Sequence, residues 1–191
     1  MKNRIEQILR ETSRVHDRLI EQAALLEQVG RRLSDVFRAG GSVYVMGNGG
    51  SAADSQHLAG ELVGRFLMER PALPCHALTT DTSVLTAVAN DYGVEDIFTR
   101  QVEAHVRAGD AVIGISTSGE SPNVVAAMTK ARGLGAVTIA LTGANGGRLA
   151  RECDLAVVVP ADETPRVQEA HGTIVHVICE LVETELFGGS S

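Results

Sequence analysis

Residues 111–122 read Ala-Val-Ile-Gly-Ile-Ser-Thr-Ser-Gly-Glu-Ser-Pro, and this stretch decides the class of fold. From Ala111 to Ser116 it is almost continuously apolar, the pattern of a strand buried on both faces of a parallel sheet, whereas a half-solvated hairpin strand alternates. Hydroxyls and a glycine follow, and Pro122 stands where a helix can begin, since proline is accommodated in a first helical turn. Outward from this unit, Ser42 to Met46, Cys75 to Leu78, Ala136 to Leu141 and Leu155 to Val159 read as further strands, with helical patterns between most of them. The expectation is a single α/β domain over residues 1–191. In a doubly wound sheet of order 2-1-3-4-5, the loops after the first and third strands border the switch point where ligands bind.

The flanks fit one domain. The chain has 191 residues, 44% of them apolar but only 3% aromatic and none of them Trp, so the core is built from Ala, Val, Leu and Ile. Its formal charge of −7 argues against nucleic acid or an anionic membrane as partner, because both need clustered Lys and Arg. Cys75, Cys153 and Cys179 are odd in number and widely spaced, which reads as reduced core thiols in a cytoplasmic protein. The N-terminus runs into a charged amphipathic pattern instead of a secretory leader, and no apolar run reaches membrane-spanning length. Ile5, Ile8, Thr12, Val15, Leu19, Gln22, Leu26, Val29, Leu33 and Val36 recur at alternating spacings of three and four, one narrow stripe on a long helix. Residues 1–39 are therefore read as a helical region used in oligomer packing. The last segment, Pro165 to Leu186, reads as a strongly apolar helix carrying two histidines.

Chemistry concentrates in three places. After the first strand comes Gly47-Asn48-Gly49-Gly50-Ser51-Ala52-Ala53-Asp54, where glycines admit close approach of a ligand and a helix N-terminus favours an anion. No Lys follows, so this is not a triphosphate-binding P-loop, and the formal Gly47, Gly49, Ala52 match to a dinucleotide fingerprint is weak alone. After the third strand, Ser116, Thr117, Ser118 and Ser121 crowd a second helix start. Ordinary N-capping uses one hydroxyl, whereas a phosphate can use all four. Third, His57 and Glu61 are i and i+4 on one helix face, and Arg166 to His176 adds Gln168, His171 and His176. A lone histidine among apolar neighbours, as His176 is, usually sits in the core. Gln168 and His176 lie about 12 Å apart along a straight helix, so one metal takes both only if the side chains lean together or two subunits supply them. His16, His76 and His105 have no local partners of ligand type and read as structural.

GNGGSAADSQHLAGE at Gly47 to Glu61, STSGES at Ser116 to Ser121 and RVQEAHGTIVH at Arg166 to His176 together resemble the sugar isomerase (SIS) fold, and more narrowly the bacterial phosphoheptose isomerases, over nearly the whole chain. The resemblance implies a five-stranded parallel sheet flanked by helices and a homotetramer with active sites at subunit interfaces. It implies conversion of sedoheptulose 7-phosphate to D-glycero-D-manno-heptose 7-phosphate, on the way to nucleotide-activated heptose. It further implies one zinc per subunit on His57, Glu61, Gln168 and His176, with Glu61 shuttling the proton and His176 assisting ring opening. Substrate contacts would come from Asn48, Gly49, Gly50, Ser51, Glu61, Arg65, Asn90, Asp91, Ser116, Thr117, Ser118, Ser121 and Gln168. Glu120 stands where the family commonly has Asn. A carboxylate beside a phosphate repels it, while one at a helix N-terminus is favoured by the dipole.

Two other readings compete. A non-catalytic SIS-fold factor that associates with the replication initiator would resemble this chain over the glycine loop and first helix, but such relatives typically lack the carboxylate and the last histidine. A small NAD-binding module would leave the serine loop and the His and Glu residues unexplained.

Overall fold

In a computed structural model of the chain, residues 1–189 are described. Five parallel strands, β1 (Val43–Gly47), β2 (Cys75–Ala77), β3 (Ala111–Ser116), β4 (Val137–Thr142) and β5 (Leu155–Val158), pair in the order β2-β1-β3-β4-β5. The strands differ from the sequence reading by one residue at most at either end, which is ordinary scatter where pairing begins and ends. Every residue of β1 and β3 is buried, the reason both read as unbroken apolar runs.

Alternate residues of those strands feed two separate cores. Val43, Val45, Ile113, Ile115, Ile139 and Leu141 join one core with Leu58 and Leu62 of α3 (Gly50–Val63) and Ile174, Ile178 and Val182 of α8 (Thr164–Phe187). Met46, Val112 and Ala140 join the other, with Val102 of α5 (Thr99–His105), Val124 and Met128 of α6 (Pro122–Gly133) and Leu149 of α7 (Gly147–Glu152). The short α4 (Thr82–Asp91) buries none of its residues. All three cysteines are free, and burial raises each thiol to about 12, so they are uncharged at neutral pH.

The long first helix is interrupted. It runs as α1 (Lys2–Leu19), a 3₁₀ turn at Ile20–Gln22 and α2 (Ala23–Arg38). The break coincides with a long-range contact: the Gln22 side-chain amide donates to the Val158 carbonyl and accepts from the Val158 N–H at 3.1 Å, as a strand partner would. The other polar member of the stripe, Thr12, donates to Glu169 at 2.7 Å. From Val15 to Val36 the apolar members are buried within the subunit, but Ile5 is 56% exposed. α2 lies close on α8, where a Cβ at Gly30 would meet the Cβ of Leu181 at 2.8 Å.

His171 is part of the frame. It is fully buried on α8, with Nε2 3.1 Å from the Thr142 carbonyl at the end of β4. A carbonyl only accepts, so Nε2 carries a proton, and Nδ1, buried without a partner among the described residues, is the nitrogen left bare in the neutral ring. Burial lowers its pKa from 6.5 to about 4, partly opposed by the Thr142 bond. The folded ring refuses a proton that the unfolded chain takes up below 6.5, so stability falls as pH drops from 6.5 towards about 4 and levels below that. Urea unfolding is expected to lose about 2 kcal/mol more between pH 7 and pH 5 in the wild type than in His171→Gln. Equal losses in the two proteins would contradict this.

Candidate active site

The two ligand loops emerge side by side, because β1 and β3 are neighbours in register, Gly47 opposite Ile115. A reciprocal amide pair ties them together: Asn48 and Asn123 each donate Nδ2–H to the other's Oδ1 at 2.9 Å, and Asn123 Oδ1 also accepts the Val124 N–H at 2.9 Å. Gly49 takes φ +56° at the start of α3 with no side-chain cap, a conformation that side chains disfavour. Asn48, Gly49 and Gly50 are exposed, whereas Ser51 turns inward, 3% exposed, against Gly47.

In the serine loop, Ser121 precedes α6 without spending its hydroxyl on the cap. Its Oγ lies 2.8 Å from Ser116 Oγ instead, and Ser118 Oγ accepts the Glu120 N–H at 3.2 Å. Simple capping therefore does not account for these hydroxyls. The Glu120 carboxylate points away to α7, accepting the Arg148 N–H at 2.9 Å and standing 3.6 Å from Arg151. Its charge is thus answered by a helix start and a guanidinium.

His57, Glu61 and His176 converge as α8 crosses α3, with their ligand atoms all within 4.8 Å of one another. His57 Nε2 is 3.2 Å from Glu61 Oε1 and 3.2 Å from His176 Nε2. Two imidazole nitrogens facing each other can share only one proton. Donors around a tetrahedral zinc with bonds of about 2.0–2.1 Å stand roughly 3.3 Å apart, so the two spacings at His57 and the donor types fit that ion. His176 is exposed and meets His57 edge-on, with ring centroids 4.9 Å apart. Its apolar neighbours in sequence lie on the other faces of α8, so it is no core histidine.

Gln168 does not stand beside this trio in the same way: its amide packs on Gly50, where an added Cβ would collide with it, about two turns ahead of His57 on α3. Arg65 is exposed, with Nε 3.7 Å from Glu69. Asn90 and Asp91 end α4, exposed, and their side chains bond each other at 2.8 Å. Of the histidines read as structural, His16 bonds Thr12 and Thr173, and His76 stacks on Tyr44.

The SIS domain family matches residues 7–143. Phosphoheptose isomerases from Trichlorobacter lovleyi and Geotalea daltonii are 54% and 59% identical over 168 and 156 residues, covering 88% and 82% of this chain and 86% and 81% of theirs. The chain belongs to the SIS-domain phosphoheptose isomerases. The solved structure of the phosphoheptose isomerase from Neisseria gonorrhoeae superposes with a TM-score of 0.91 at 37% identity, over 96% of this chain and 98% of that one. This member of the phosphoheptose isomerases also has site features that its motifs did not reveal. Asn123 ties the loops. Phe66 lies nearly parallel to the His176 ring, centroids 5.3 Å apart. Asp54, one turn before His57, has a buried Oδ2 without a partner among the described residues, and burial raises its pKa against the pull of His57.

Gly119 is the tightest point of the phosphoheptose isomerase serine loop: φ is +67°, and a Cβ there would strike the Gly146 backbone carbonyl. Gly119→Ala is expected to cost about 3 kcal/mol or more, read by urea unfolding. Gly133→Ala, with nothing within 4 Å of its added Cβ, should stay within about 0.5 kcal/mol. Similar stabilities for both variants would refute the clamp.

Proposed function

We propose that this chain isomerises sedoheptulose 7-phosphate and D-glycero-D-manno-heptose 7-phosphate, supplying the aldose phosphate for nucleotide-activated heptose. The observation that carries the reading is the meeting of His57, Glu61 and His176 in a chain more than half identical to phosphoheptose isomerases. Ser116, Thr117, Ser118 and Ser121, with the Asn48–Ser51 turn, bind the phosphate, which no step changes. Arg65, Asn90, Asp91 and Gln168 complete the substrate contacts.

The reaction moves a proton between C1 and C2 of the open-chain ketose through an enediol. The Glu61 carboxylate takes the C1 proton and returns it at C2, while His176 acts as acid and base on the ring oxygen during opening and closure. His57, Glu61 and His176 would hold one zinc ion, which would supply Lewis-acid stabilisation of negative oxygen, and Gln168 would join them as a fourth ligand only by leaving its place on Gly50. The gathered carboxylate and histidine favour an enzyme over a binding factor of the replication-initiator type.

The test of activity is direct. The protein is incubated with sedoheptulose 7-phosphate and the aldose phosphate is followed, with metal content measured on the same sample. Glu61→Gln is expected to lower kcat by about 10²-fold or more while the protein stays folded. Near-normal turnover by that variant would refute the role of Glu61, and a wild type without turnover would refute the reaction.

We further propose a cytoplasmic homotetramer. Among the described residues no helix is long and apolar enough to cross a membrane. An open apolar groove of about 370 Å³ runs between the α1–α2 break and α8, lined by Leu19, Ile20, Ala23, Leu26, Val177 and Leu181, and Ile20 is 71% exposed. Such a surface is costly in water. Light scattering at micromolar concentration should give four times the chain mass, and a monomer would overturn this.

A further inference from the structure

We propose that the buried Arg70–Glu183 ion pair, acting through Phe66, is the positioning device that sets the geometry of the His57, Glu61 and His176 group. The inference rests on the reading of that group given above.

Glu183 lies on α8 about two turns beyond His176, and its side chain and that of Arg70 are each 1% exposed. Both carboxylate oxygens are fully used. Oε1 accepts the Phe66 N–H at 2.8 Å and Arg70 Nε–H at 3.0 Å, and Oε2 accepts the Leu67 and Met68 N–H groups at 2.8 and 2.9 Å. Arg70 spends its other donors on backbone carbonyls, most of them at the end of α3. Nη1 donates to the carbonyls of Leu62, Gly64 and Pro71, and Nη2 donates to the carbonyl of Glu61 itself at 2.8 Å. The pair thus bolts the turn that bears Glu61 to the helix that bears His176, through the strap of residues 64–70.

A buried ion pair is a weak stabiliser, since desolvation offsets most of its attraction. An apolar pair of the same volume would fill the space, yet it would leave the strap N–H groups and the α3 carbonyls without partners. What the charges supply is convergence. They hold Phe66 over one face of His176, at 23° between ring planes, and His57 meets that imidazole at 86°. His176 is exposed, and among the described residues its one hydrogen bond is to His57. Without Phe66 the ring loses its stacked wall and keeps only the edge contact with His57 to choose its rotamer. Groups behind metal ligands typically change affinity or activity by about 10–100-fold when lost.

The test uses the full chain with three readouts: the ring-proton shifts of His176 in the metal-free protein, the dissociation constant for Co²⁺ as the probe metal, and kcat with KM. Glu183→Gln keeps the shape but loses the second strong acceptor and the charge. The His176 protons should move towards free-imidazole shifts, Co²⁺ affinity should fall by about tenfold or more, and kcat should fall while KM stays within about twofold. Phe66→Leu should do the same, and it decides the matter if Glu183→Gln does not fold. In the double variant the losses should not add, because both changes act through one ring. Folded variants with unchanged His176 shifts overturn the inference, and so does a loss confined to KM. Wild type that binds no Co²⁺ removes the metal reading but leaves the His176 shifts to decide the positioning.

Discussion

The structure depends on α3 and α8 sharing one face of the sheet. Leu58 and Leu62 of α3 and Ile174, Ile178 and Val182 of α8 enter a single core with alternate residues of β1, β3 and β4. That shared burial places two polar stripes opposite each other at the rim of the core, His57 and Glu61 on one helix and His176 on the other. Helix packing brings the three within reach of one another, and the strap of residues 64–70 then lays Phe66 on the His176 ring. Apolar burial on this scale, at roughly 25 cal/mol per Å², outweighs anything the exposed His and Glu contacts contribute to folding. The chemistry can therefore be changed without unmaking the scaffold.

The loops are held by a different kind of force. Backbone geometry at Gly49 and Gly119, the amide pair of Asn48 and Asn123, and the Glu120 carboxylate at the start of α7 are all polar and local. They fix the serine and glycine turns relative to the ends of β1 and β3. Donors placed in advance bind an anion without a reorganisation cost. Since Ser116 and Ser121 already face each other, the hydroxyls lose little freedom when a phosphate takes their place as partner.

How much of this was legible in the sequence follows from the range of each interaction. The strands were, because burial on both faces leaves unbroken apolar runs such as Ala111 to Ile115. So was the His57 and Glu61 pair, since four residues on a helix fix a shared face. The assignment of His176 came from resemblance alone, because its apolar neighbours suggested a core position and its partner lies 119 residues away. Arg70 and Glu183 are 113 residues apart, and each alone looks like a solvated surface charge. The break at Ile20–Gln22 was hidden for a similar reason. Gln22 fits the helical stripe by spacing, and the contact that coincides with the tightened turn is with the distant Val158.

That same glutamine answers a hazard of open sheets. Strands at the margins of a sheet carry unmet peptide groups, on which a strand from another molecule can grow. At one margin, β2 spans only three residues, too few to serve as a template. At the other, the Gln22 amide occupies both the N–H and the carbonyl of Val158, a side chain impersonating the missing neighbour. The helix break thus closes the last residue of that edge strand, and a chance strand finds no free peptide at Val158.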